Sequence, residues 1–324
     1  MMKQGNVVPD SFIRVMPDKM NDFVRSAFLK AGLDEEMAQL MADALVAADL
    51  RGVFSHGTKA TGGYARLFMD GKLNPRAQIT VERETATMVH VDGDGGLGYA
   101  PSFKAVRMAV EKARSQGVAV ATTCNHGHFG AAGHYTRRAV DAGCVGLAVS
   151  SHHREYASDI SILHAGGASP ISIGVPAGEQ PPLVIDMATA GASSLELFDE
   201  MQGAFFKMLG FGLVCHALGG IVAGLVSREE AGPRQWEGVN QGAFFLVIDL
   251  GQLIDPATHR RQMDDFIAGL RQLQPAPGLD RTDAPGGLEH EYESEWARAG
   301  IPVGDDHQET LQRAAADLGL STPW

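Results

Sequence analysis

The chain has 324 residues, 44% of them hydrophobic and 20% charged, which is room for two domains with ordinary globular cores. Its formal charge of −12, with no basic arm or Lys/Arg-rich helix, argues against a nucleic-acid partner and leaves any anionic substrate to local donors. Three cysteines, with no CxxC, fit a reduced cytoplasmic setting, and the N-terminus lacks the apolar core of a secretory signal.

Residues 18–50 alternate apolar and polar at helical spacing, broken by a turn at Gly32. Asp34 is the expected N-cap of the second helix, with Glu35 and Glu36 in its first turn. That helix runs into Asp49-Leu50-Arg51-Gly52 and then Ser55-His56-Gly57. Residues 77–92 read as two strands, 93–98 as a glycine-rich turn, and 101–116 as a helix with Pro101 in its first turn. VAVATTCN, CVGLAVSS, PISIGVP and PPLVIDMAT read as further strands, with a short helix stopped by Gly143 between the first two. PISIGVP and PLVIDM are joined by too few residues for a crossover helix, so the sheet is expected to be mixed. The region 194–226 reads as helical and largely buried. Its apolar run Leu213–Val226 is only fourteen residues, too short to span a bilayer, so no membrane partner is expected. GAFFLVIDL at 242–250 reads as one more buried strand. Residues 256–273 and 307–319 read as amphipathic helices, and roughly 274–290, rich in Pro and Gly, as loop.

Gly93-Asp-Gly95-Gly-Leu-Gly98 matches the dinucleotide pattern GxGxxG between a strand and a helix. Two features speak against that use. The next strand ends in Cys124, Asn125 and His126 rather than in an acidic residue for a ribose, and Asp92 and Asp94 would stand beside the pyrophosphate. A tight turn for close strand–helix packing is the competing reading.

Three histidine groups remain. His56 has a neighbouring hydroxyl and a backbone freed by Gly57, features of a proton-transfer residue, although a lone histidine is also common as a structural one. His126, His128 and His134 could share a metal, but no carboxylate or cysteine stands at ligand spacing around them, and no metal is expected. Asp186 ends an apolar strand and needs a partner: it is either an N-cap or a carboxylate that orients a histidine.

Taken together, ADLRGVFSHGT (48–58), VDGDGGLGY (91–99), NHGHFGAAGHY (125–135), SPISIGVP (169–176), PLVIDMAT (182–189) and QGAFFLVID (241–249) resemble the malate/L-lactate dehydrogenase family of the non-Rossmann type. PGGLEHE (285–291) and AGIPV (299–303) are similar to its C-terminal end. The resemblance implies an α/β fold: a mixed, partly antiparallel seven-stranded sheet with flanking helices, a non-Rossmann NAD(P)-binding fold and a helical N/C-terminal subdomain. The implied division is residues 1–85 carrying the SHG motif and packing with 240–324, residues 86–239 binding NAD or NADP, and 240–324 supplying a strand and helices.

The implied activity is hydride transfer between NAD(P)H and a small 2-oxo acid or cyclic 2-imino acid, in a cytoplasmic homodimer. His56 would be the catalytic acid, Asp186 its charge partner and Ser55 a substrate contact. Arg51, Lys59 and Tyr64 would bind substrate. His128, Gly130, Gly167, Ser169, Pro170, Lys207, Pro285, Gly286 and Gly287 would line the cofactor.

Three departures stand out. Ser169 replaces the family's usual Asn, Lys59 its arginine after SHG, and about forty residues that cover the cofactor are missing between Asp186 and Gly210. Lys207 either supplies the lost charge or is a solvated helix lysine. The alternative function is a diverged, non-catalytic binding paralogue.

Overall fold

A computed structural model describes residues 8–152, 161–162, 169–189, 195–225 and 235–324. Two compact units divide the chain: Met1–Ala77 with Gly286–Trp324, and Gln78–Pro285.

The first unit is mostly helical. After strand β1 (Phe12–Val15) come α1 (Pro17–Lys30), α2 (Glu35–Leu50) and α3 (Thr61–Met69). The C-terminal segment adds α8 (Gly287–Ala299), β9 (Ile301–Gly304) and α9 (Asp305–Leu318), and β9 pairs antiparallel with β1. Asp34 caps α2 as its sequence predicts, accepting the Met37 N–H at 2.8 Å. Gly32 adopts φ +97°, the left-handed conformation that lets α1 turn into α2 without a Cβ clash.

The second unit is a seven-stranded sheet in the order β2-β3-β4-β8-β5-β6-β7. Its strands are β2 (Thr80–Glu84), β3 (Met88–Asp92), β4 (Val118–His126), β5 (Cys144–His152), β6 (Pro170–Val175), β7 (Leu183–Ala188) and β8 (Gln241–Asp249). The β3–β4 pair is parallel and the other neighbours are antiparallel. This is the mixed sheet expected from the short β6–β7 link. One face packs α4 (Tyr99–Gln116) and α5 (Gly133–Asp141). The contact is rich in alanine (Ala105, Ala109, Ala113, Ala119, Ala121, Ala139), which brings helix and sheet axes close.

Three expectations change. Residues 241–249 do not join a C-terminal part. As β8 they are hydrogen-bonded to β4 on one side and β5 on the other, so the strand belongs to the sheet unit, and the segment that joins the N-terminal helices begins at Gly286. Residues 287–290, read as loop, open α8; Gly286 at φ +91° is its N-cap, so a glycine-rich stretch that looks like loop is a helix start. Finally, α6 (Leu195–His216) with its π-helical continuation Ala217–Val222 is not largely buried. Phe206 is 51%, Val214 56% and Ile221 67% exposed. The stretch Glu200–Val222 is by length and hydropathy alone enough to cross a membrane. It is nevertheless fixed to the sheet: a Cβ on Gly219 would lie 2.7 Å from the Ser150 Cα, so this turn rests directly on the β5 backbone. Helix α7 (Pro256–Arg271), capped by Asp255, completes the unit.

Candidate functional site

In the first unit, α2 ends at Leu50 and Gly52, at φ +74°, reverses the chain. Two short 3₁₀ turns follow, Phe54–His56 and Thr58–Ala60. Phe54 stacks on Trp296 of α8 (centroids 5.9 Å apart, 15° between planes), which pins the turn. Ser55 Oγ lies 2.9 Å from His56 Nδ1 and orients the ring. Burial holds the His56 pKa below its ordinary 6.5.

Beneath this turn lies a buried polar group that the sequence reading did not single out. Asp49, fully buried on α2, accepts hydrogen bonds from the Thr58 hydroxyl and from the Thr58 N–H. Thr58 Oγ1 is also 2.9 Å from His307 Nε2 on α9. Burial pushes the Asp49 carboxyl up to about 7 and, with the positive charge of Lys59, the His307 imidazole down to about 4. Gly57 is obligatory here, since a Cβ would sit 1.7 Å from Asp49 Oδ1. A signal for Asp49 was present: it follows Met41 by eight residues and Leu45 by four, on the apolar face of its helix. None pointed to His307, some 250 positions away.

The expected substrate cations are both engaged. Arg51 holds Glu293 with two nitrogens, Nε at 3.2 Å and Nη2 at 2.6 Å, and its Nη1 donates to the Ala47 carbonyl at 3.4 Å. Lys59 pairs with the exposed Asp306. Tyr64 is nearly buried on α3.

In the second unit, Asp186 lies within β7, two residues before its end at Ala188, and is not the N-cap of the following helix. Its Oδ2 instead accepts the Gly133 N–H at 2.8 Å, across the sheet at the start of α5, where the helix dipole favours a carboxylate. His128 is half-buried and its Nδ1 faces the Gly130 N–H at 3.3 Å, which places the ring proton on Nε2 as a donor. Gly130, at φ +80°, has no room for a side chain against Tyr99. The Ser169 hydroxyl is buried 3.0 Å from Ser151 Oγ, which is itself 2.7 Å from His216 Nδ1, while the Ser169 carbonyl accepts both the N–H and the hydroxyl of Thr189. Pro170 opens β6, the Pro285 carbonyl accepts the Val184 N–H, and Lys207 is exposed on α6. Gly286 and Gly287 begin α8 in the first unit. Gly167 lies outside the described residues. His126 is occupied at both ring nitrogens, by the Gly127 carbonyl and Thr123, and among the described residues it does not cluster with His128 and His134 as a metal site.

The glycine-rich turn is no phosphate cradle. The N–H groups of Gly93, Gly95, Gly96 and Gly98 all donate to carbonyls, those of Cys124, Asn125, Gly93 and His128. A Cβ on Gly93 or Gly98 would strike His126, which is the close-packing role read from the sequence. Of the remaining set, an imidazole at His128 and the exposed Lys207 ammonium are side chains of the chemistry that meets the hydroxyl and phosphate groups of a dinucleotide.

A family profile described as malate/L-lactate dehydrogenase matches residues 15–202, more than half of the chain, and the chain belongs to that family. It is 26% identical to a malate dehydrogenase of Pyrococcus horikoshii, over 98% of this chain and 99% of that protein; the solved structure of the Pyrococcus horikoshii enzyme superposes with a TM-score of 0.83 at 25% identity, over 99% and 100% of the two chains. It is 25% identical to an L-sulfolactate dehydrogenase of Methanocaldococcus jannaschii (94% and 97% covered) and 23% identical to a ureidoglycolate dehydrogenase (NAD(+)) of Escherichia coli strain K12 (91% and 93%). The chain is thus an oxidoreductase of the 2-hydroxy acid/2-oxo acid type using NAD or NADP, and a non-catalytic binding paralogue is not what these likenesses support. The Pyrococcus alignment runs over 359 positions against 98% of 324 residues, so about 40 positions fall opposite gaps in this chain.

Proposed function

We propose that the protein reduces a small 2-oxo acid, or a cyclic 2-imino acid, to its 2-hydroxy or 2-amino counterpart in the cytoplasm as a homodimer. The observation that carries the reading is the His56 turn: an imidazole oriented by Ser55, on a backbone that a side chain at position 57 would destroy. The bound nicotinamide supplies the hydride. His56 gives a proton to the substrate oxygen or nitrogen at C2, and Asp186 serves as the carboxylate partner of the resulting charge change; general acid catalysis of this kind contributes roughly 10²–10⁴-fold. In the reverse direction neutral His56 accepts the proton, and its depressed pKa keeps that form populated at neutral pH.

Lys59 is the better candidate than Arg51 for the substrate carboxylate. Its partner Asp306 is a surface group, and such pairs are worth only about 0–1 kcal/mol, so the ammonium is easily recruited. Arg51 is held by two bonds in a more buried pair and reads as a structural clamp between α2 and α8. Tyr64 lines the same unit. The cofactor contacts are assigned to His128, Gly130, Gly167, Ser169, Pro170, Lys207, Pro285, Gly286 and Gly287, and the relative named for NAD(+) supports NAD as the first cofactor to try.

The test is the absorbance decay at 340 nm with NADH or NADPH and a panel of 2-oxo acids and cyclic imines. His56→Ala is expected to lose about 10²-fold or more in kcat. The rate of hydroxy-acid oxidation should hold its plateau down to a pKa below 6.5, and Asp186→Asn should move that pKa lower still. No turnover with any member of the panel, or a His56→Ala variant as active as the parent, would overturn the assignment.

A further inference from the structure

The face of the sheet turned away from α4 and α5 carries a cluster at its β2 edge that the reductase chemistry does not use. His90 on β3 and Cys124 on β4 stand on this face, with Cys124 Sγ 3.4 Å from His90 Nε2. Glu82 Oε2 on β2 is 3.5 Å from the same nitrogen, and the three ligand atoms lie within 4.8 Å of one another. The Asp92 carboxylate, register partner of Cys124, comes within 3.8 Å of the sulfur.

We propose that Glu82, His90 and Cys124, with Asp92 as fourth ligand, bind one divalent cation of the zinc class that ties the edge strand β2 to β4. The Sγ–Nε2 and Nε2–Oε2 spacings are those of a coordination shell, and Asp92 would close by a small movement toward the sulfur. Zinc bonds of about 2.3 Å to sulfur and about 2.0–2.1 Å to nitrogen or oxygen, at tetrahedral angles, put neighbouring ligand atoms about 3.3–3.6 Å apart. A thiolate, an imidazole and carboxylates together select zinc over the oxygen-bound magnesium and calcium.

Two features built into the strands support it. The β2–β3 register slips between Val81 and Arg83: Val81 faces Val91 and Arg83 faces His90, so Glu82 is the extra residue of a bulge. Bulges commonly re-aim a side chain, and this one delivers a carboxylate onto His90. On the other side of the ring, His90 Nδ1 is 2.7 Å from Thr122 Oγ1. A metal on Nε2 would leave the Nδ1 proton to that hydroxyl, the outer contact a metal-bound histidine makes. Glu82 is half exposed, so an ion has a path in from solvent.

The experiment uses the full chain after chelator treatment, titrated with Co²⁺ and then Zn²⁺. One equivalent of Co²⁺ should bind with a thiolate-to-metal charge-transfer band that Zn²⁺ abolishes, and Zn²⁺ should raise the thermal midpoint. Cys124→Ser should lose the band. His90→Gln and the half-exposed Glu82→Gln should each weaken binding by on the order of tenfold or more. Glu82→Gln alters an edge-strand surface group and keeps the proposal testable if Cys124→Ser does not fold. No band in the parent protein overturns it. A band that survives in Cys124→Ser, or affinity unchanged in both His90→Gln and Glu82→Gln, does so equally.

Discussion

The buried pair under the His56 turn makes a quantitative prediction about stability and pH. Asp49 has its folded pKa raised from 3.8 to about 7. Between those values the native state keeps a proton that the unfolded chain has lost, so this group's contribution is full below 3.8 and is lost as pH rises to about 7. At about 1.4 kcal/mol per pH unit, that loss is about 4 kcal/mol. His307 acts in the opposite sense. Its pKa falls from 6.5 to about 4, so between those values the unfolded chain binds a proton that the native state refuses, and stability falls by about 3 kcal/mol as pH drops through that window. His307 Nε2 and Asp49 Oδ2 are 3.8 Å apart with Thr58 between them, so one proton belongs to the pair whichever atom holds it. From about pH 4 to 6.5 the folded and unfolded states each carry one proton on these two groups, and the pair's contribution is nearly flat. Each single isostere should uncover one slope. Relative to the parent protein, His307→Gln should lose stability and Asp49→Asn should gain it as pH rises from about 4 to 6.5. Urea denaturation midpoints and slopes at half-unit pH steps would measure both. Two slopes of the same sign, or two variants that track the parent protein at every pH, would refute the reasoning.

Two further substitutions probe the same unit. Gly57→Ala forces a methyl into the Asp49 carboxylate and should cost about 1–3 kcal/mol or more in urea denaturation, with loss of activity; a change within about 0.5 kcal/mol would mean the turn can yield. Lys59→Ala should raise KM on the order of tenfold or more with kcat nearly unchanged, since it removes a charged contact made equally in ground and transition states, whereas Arg51→Ala should lower stability and leave KM alone; the reverse pattern would assign the carboxylate to Arg51.

Much of the fold was legible because its signals are local. The Asp34 cap, the Gly32 turn and the short β6–β7 link each depend on a few consecutive residues. The mixed sheet followed from the link, and the packing role of Gly93–Gly98 from the absence of an acidic residue at the end of the next strand. The partition of the chain was not legible. Hydrophobicity marks 241–249 as a buried strand but does not say that its two edges belong to β4 and β5. The same limit hid the exposure of α6, whose apolar composition states a preference for burial without naming the surface that provides it.

The sequence by itself determined the chemistry available at the His56 turn: an imidazole next to a hydroxyl and a glycine. Tertiary structure decided what lies behind that chemistry. It set a carboxyl from α2, a hydroxyl from the turn and an imidazole from α9 within hydrogen-bonding reach. It also committed Arg51 to Glu293. Ionisation and pairing depend on desolvation and on distances between residues far apart in the chain, and those exist only once the helices have packed.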